Sequence, residues 1–200
     1  AVLVVSGPEH ECGVSTVLAG LAVAAGRADE RVLVIDAHLR AESAGQESGG
    51  SSARPHQSMF TRNCGEAGAA APGLGEYLSF RADQPDEVAV HTDSSGVTFI
   101  PCGESVVMAD MIGSKRMTEL LASLSGKYSL ILLDTAPVGQ SSDAVILASQ
   151  ADAVLLVAST DCQIRQVGDV RAIGQSTEQA NQQLVVPGRN AEVGTRDQLG

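Results

Sequence analysis

Two aspartates each close a short apolar run. Asp36 ends "VLVID" and Asp134 ends "LILLD". A carboxylate delivered at a strand end can hold a divalent cation through water, or orient a nucleophile. A third run, Val2–Val5, empties into "SGPEHECGVST", and Gly13, Ser15 and Thr16 there precede the helix-like "VLAGLAVAAG". A glycine-bearing loop that enters a helix N-terminus turns backbone N–H groups toward phosphate oxygens. In such loops a lysine bridges the β- and γ-phosphates and the Ser/Thr hydroxyl goes to magnesium. The lysine position here is Val14, which can neither donate a hydrogen bond nor carry charge. Glu9, His10 and Glu11 put two carboxylates beside a place meant for phosphates.

Bland readings fit each piece taken singly. The loop could be a plain strand–turn–helix. Asp36 could cap a turn. Asp143, near the start of a later helix, suits the helix dipole as well as catalysis. Three apolar strands that each empty a loop or an acid onto one edge are harder to explain by chance than any one of them.

The elements that must carry these residues are legible as alternation. Strand-like runs lie at Val2–Val5, Val32–Ile35, Val97–Ile100, Leu130–Leu133, Val154–Val157 and Leu184–Val186. They are short, continuous and rich in Val, Ile and Leu, as strands buried on both faces are. Helical patterns lie between them at Ser15–Ala25, Ser114–Ser125, Ser142–Ser149 and Ile164–Gln179. This order predicts an α/β fold, a mainly parallel sheet with helices on both faces in three layers. Right-handed crossovers then collect the loops after each strand on one edge, where ligands bind.

Residues 41–53, "AESAGQESGGSSA", hold no core-forming residue and read as a flexible insert. The expected domain is 1–190, with 191–200 a tail or linker. The 200 residues suffice for one domain with a real core. The start on Ala1, directly in an apolar strand, reads as a cut from a longer protein. No apolar run approaches the roughly 20 residues a membrane helix needs.

A net charge of -11 argues against a broad nucleic-acid surface. Cys12, Cys64, Cys102 and Cys162 have no metal-type spacing and read as reduced thiols of a cytosolic protein. The two lysines are Lys115 and Lys127, so no lysine in the first half can stand in at position 14.

Together these motifs resemble the cytoplasmic ATPase domain of bacterial tyrosine kinases that act with polysaccharide co-polymerases in capsule and exopolysaccharide synthesis. That family lies within the P-loop ATPases that include chromosome-partitioning and division-site-placement proteins. The resemblance runs from about Val2 to Asn190. It rests on the strand–loop–helix opening, on "VLVIDAHLR", on "YSLILLDTAPV" and on "SDAVILASQADAVLLV", with "GLGEYL" and "FIPCG" matching intervening segments. "RPHQSMF" from Arg54 is similar to the stretch that normally follows "DLR" at once, so 41–53 looks like an insertion.

The resemblance implies a P-loop NTPase-like fold with ATP and Mg2+ as cofactors where nucleotide binding is retained. Gly13, Val14, Ser15 and Thr16 fall on the nucleotide-binding positions. Ser15, Asp36 and Asp134 fall on the metal positions. Asp36, Asp134 and Arg40 fall on the catalytic ones. It also implies a co-polymerase-type membrane partner, on the same chain or a separate one, self-association into oligomers, and a place at the inner face of the cell membrane.

The departures fall on the chemistry: Val14 for the family lysine, His38 for the second acid of the family's "DxD", and Ala136 for a proline. His38 reads as a weak metal ligand or a tolerated replacement. Tyr77 and Tyr128 are the only tyrosines, and no tyrosine cluster closes the chain.

The expected function is therefore a kinase-like domain with impaired catalysis, acting as a regulator or assembly partner. One alternative is an active kinase whose cation is relocated, to Arg40 first and Arg54 second. The other is a non-enzymatic interaction domain of the partitioning-ATPase kind.

Overall fold

The computed structural model describes residues 1–9, 12–39, 72–92, 96–103, 109–158 and 184–185. Seven strands form one sheet: β1 (Val2–Ser6), β2 (Val32–Asp36), β3 (Val90–His91), β4 (Val97–Ile100), β5 (Leu130–Asp134), β6 (Ala153–Leu156) and β7 (Leu184–Val185). Their order is β3-β4-β2-β5-β1-β6-β7. Every pairing is parallel except that of β3 with β4. The described helices are α1 (Val14–Arg27), α2 (Leu74–Leu78), α3 (Ala109–Ile112), α4 (Lys115–Ser125) and α5 (Asp143–Ala148).

Side chains alternate between the faces of a strand, and the apolar runs feed two cores. Val4, Leu33, Ile35, Ile131 and Leu133 face one side, where Met117, Leu120 and Leu124 of α4 and Ala144 and Leu147 of α5 cover them. Val5, Val32, Val34, Phe99 and Leu132 face the other, under Leu18 and Ala22 of α1. The three predicted layers are present, with helices on both faces.

Helix α4 shows how local sequence sets these covers. Ser114 caps it, its hydroxyl accepting from the Met117 N–H. Met117, Leu120, Leu121 and Leu124 then recur at helical spacing as its buried stripe.

Element bounds shift by one or two residues from expectation. Strand β3 was not anticipated. It has two residues, neither fully buried, at a sheet edge, and so leaves no run to read. The reading of four reduced thiols is corrected at Cys12, which is disulfide-bonded. Cys102 is free and buried, its thiol pushed up to about 12, first by burial and then by the charge of Asp36. The insert at 41–53, the helix at 164–179, the tail at 191–200, and Arg40, Arg54, His10 and Glu11 lie outside the described residues. No helix among the described residues is long and apolar enough to cross a membrane.

Candidate functional site

Strand register decides where the acids meet. Strand β5 lies between β2 and β1, and Asp36 of β2 stands directly opposite Asp134 of β5. On the other side of β5, Val5 of β1 stands opposite Asp134. The loop after β1 therefore leaves the sheet beside both carboxylates. The two strand ends are tied by the Ala37 N–H, which donates to the Asp134 carbonyl at 2.8 Å.

The loop enters α1 through Gly13, whose φ of +85° is a left-handed conformation that glycine adopts at no steric cost. Gly13 supplies no side-chain cap, and the first turn of α1 holds no acidic residue. The positive end of the helix dipole is thus left uncompensated by its own side chains. Ser15, in that first turn, donates its hydroxyl to Asp134 Oδ2 at 3.1 Å. Thr16 stands exposed on the same turn.

Val14 goes elsewhere. It is half-buried and packs against the core cluster under α1, the one that holds Val5, Leu18 and Leu132. A Cβ placed on Gly7 would lie 2.9 Å from Val14 Cγ2 and 3.0 Å from the Val157 carbonyl oxygen. Position 14 is a packing position in this chain.

The two acids are almost completely buried. Asp36 Oδ1 accepts from the His38 backbone N–H at 3.1 Å and meets His38 Nδ1 at 3.0 Å. Among the described residues, Asp36 Oδ2 and Asp134 Oδ1 are buried with no hydrogen-bond partner. Each carboxylate thus has one oxygen engaged and one open. A buried carboxylate oxygen left unsatisfied is costly, and a divalent cation is the kind of group that relieves it.

Among the described residues no group of three or more His, Cys, Asp or Glu is placed to hold a metal by itself. Magnesium asks for fewer protein ligands, being bound through one or two carboxylates together with waters and phosphate oxygens. Ser15, Asp36 and Asp134 fit such an ion as a partial set. The turn-capping reading of Asp36 accounts for one of its oxygens and leaves the other unexplained.

Electrostatics carry the same signature. Burial pushes Asp134 up to about 6; the His38 charge pulls back, the Asp36 charge pushes further, and the Ser15 hydroxyl pulls back. Burial works to lower His38, yet its pKa is raised, because the bond to Asp36 and the charges of Asp36, Asp134 and Asp143 outweigh it. Asp143, at the start of α5, is buried as well, its N–H held by the Ser141 hydroxyl at 3.1 Å.

The structure brings Ser15, Asp36 and Asp134 together, and the Gly13 loop borders them. His38, read as a weak ligand or a tolerated replacement, instead grips Asp36. Its two-residue spacing after a strand-end acid is the signal available in the sequence.

A parallel sheet with two acids in register beside a glycine loop and an uncapped helix defines a P-loop NTPase-like domain. Comparison with known proteins narrows the class to the neighbourhood of bacterial tyrosine kinases, to whose kinase domains this chain is related. No protein-family model matches the chain. The tyrosine-protein kinase ptk of Acinetobacter johnsonii is 27% identical over 157 residues, covering 78% of this chain and 19% of that protein. The kinase domain of the Escherichia coli tyrosine kinase ETK superposes with a TM-score of 0.69 at 26% identity, covering 97% of this chain and 71% of that one. The septum site-determining protein MinD of Pyrococcus horikoshii, complexed with Mg-ADP, superposes with a TM-score of 0.66 at 22% identity, covering 92% and 68%. The chain spans about a fifth of the length of the curated relatives it matches.

Proposed function

We propose that this is a kinase-like P-loop domain of capsule or exopolysaccharide synthesis that keeps the cation half of its site and has lost the lysine half. It binds ATP-Mg weakly through the Gly13 loop, Ser15 and Thr16, with Asp36 and Asp134 facing the cation. Its phosphoryl transfer is impaired, and it acts as a regulator or assembly partner of a polysaccharide co-polymerase at the inner face of the membrane.

The observation that supports this reading most is the pair of open carboxylate oxygens beside a helix N-terminus whose lysine position is spent on packing. A hydrogen bond to a charged group is worth about 1.5–3 kcal/mol. The lysine also offsets charge that develops during phosphoryl transfer. Its loss therefore weakens binding and harms chemistry more. ATP, when bound, supplies the phosphoryl group. This chain's part is to cradle it at α1, orient it with Ser15 and hold the acids in register.

Calorimetric titration with ATP-Mg and a radiolabel autophosphorylation assay test the reading. Weak binding with negligible turnover is expected. Turnover near that of an intact relative, abolished by Asp134→Ala, would establish an active enzyme with a relocated cation. Replacing Arg40 and Arg54 singly by alanine would then locate that cation.

A further inference from the structure

We propose that His38 is a positioning residue that locks the Asp36 carboxylate so that a single oxygen, Oδ2, is offered to a cation. The inference rests on the reading of Asp36 and Asp134 as a cation site. His38 contacts the same Asp36 oxygen twice, through its backbone N–H at 3.1 Å and through ring Nδ1 at 3.0 Å. Two contacts from one residue to one oxygen fix the rotation of the carboxylate as well as its place. The second oxygen is left buried and without a hydrogen-bond partner among the described residues.

Asp134 is arranged in the same way by a different residue. Ser15 holds Oδ2, and Oδ1 is left open. The two open oxygens belong to acids paired across neighbouring strands. The side chain of His38 is only 10% exposed, so its ring is held by its surroundings and cannot swing freely. With Asp36 Oδ1 accepting, Nδ1 is the donating nitrogen of this contact, in the neutral ring and in the charged one.

Residues that orient a metal-binding carboxylate from behind typically govern metal affinity by 10–100-fold. His38→Leu keeps bulk and removes the donor. His38→Asn keeps a short side-chain donor. Mn2+ alone, followed by its electron paramagnetic resonance signal, is the probe, with each variant's melting temperature recorded without metal.

The Leu variant should bind Mn2+ about tenfold more weakly than the parent, and the Asn variant should recover most of that loss. Equal or tighter binding by the Leu variant overturns the proposal, since the ring would then be idle or a competitor. So does failure of Asn to differ from Leu. In parallel, 15N spectra of the parent's histidine rings should show His38 protonated at Nδ1 with and without Mg2+. A ring carrying its proton at Nε2 alone overturns the lock directly. Should the parent take up no Mn2+ at all, the cation site is what fails, while the ring spectrum still decides whether His38 holds Asp36.

Discussion

Asp36 and Asp134 face each other across neighbouring parallel strands, and each keeps one buried oxygen without a hydrogen-bond partner among the described residues. Two such carboxylates repel each other and gain little from solvent. The site is therefore a place where the fold gives up stability, as functional sites commonly do.

That cost has a pH signature at Asp134. Its value in the folded protein, about 6, lies above the ordinary 3.8, with burial the first cause. A raised value means the contribution to stability is fully present below 3.8 and is lost as pH rises through about 6. Asp134→Asn removes the ionisation. Without metal, the variant should be more stable than the parent at pH 7–8 by roughly 1–3 kcal/mol, with the gap closing toward pH 4. Mg2+ should raise the parent's melting temperature at pH 7 and leave that of the variant unchanged. Thermal unfolding across pH, with and without Mg2+, checks both.

His38 adds a second window with the same sign. Its raised value places its contribution fully in force below 6.5 and losing ground as pH rises through the folded value. The melting temperature of the parent should therefore fall by more than that of His38→Leu as pH rises above 6.5. A slope shared by the two proteins over that range would remove His38 as its source.

Much of this was legible in the chain. Strands buried on both faces read as unbroken apolar runs, and those ending in Asp36 and Asp134 carry their acids to one edge because parallel strands all point the same way. The spacing of Met117, Leu120, Leu121 and Leu124 gave α4 directly. The two-residue β3 and the five-residue α2 are too short to show a period. The grip of His38 on Asp36 depends on the local backbone path just past the strand end, which composition does not encode. The inward packing of Val14 depends on the missing side chain at Gly7, seven residues before the first residue of the helix.

That contact between Gly7 and Val14 can be broken. Alanine at position 7 would put its Cβ 2.9 Å from Val14 Cγ2 and 3.0 Å from the Val157 carbonyl oxygen. A side chain can yield by a few tenths of an ångström, but a backbone carbonyl at a strand end yields less. Gly7→Ala should cost about 1–3 kcal/mol. Adding Val14→Ala should return only part of it, because the carbonyl clash persists. Denaturant unfolding of the single and double variants measures the two shares.

Position 14 is also where the missing charge could be restored. In Val14→Lys the long stem can lie along the apolar surface that Val14 now covers, and the ammonium can reach out toward the phosphates. The valine's packing against the core cluster under α1 is lost in part, at a cost of about 0.5–1.5 kcal/mol, as when a buried methyl is removed. The gain is a hydrogen bond to a charged group, about 1.5–3 kcal/mol, which corresponds to roughly 10–100-fold in affinity. Calorimetry with ATP-Mg should find Val14→Lys tighter than the parent by at least tenfold, and the Asp134→Ala change should remove most of that gain. ADP-Mg should gain less than ATP-Mg, since lysine reaches the γ-phosphate as well as the β. An unchanged ATP affinity in a folded Val14→Lys protein would mean that the Gly13 loop is not shaped to present phosphates to α1, and the nucleotide reading of the site would go with it.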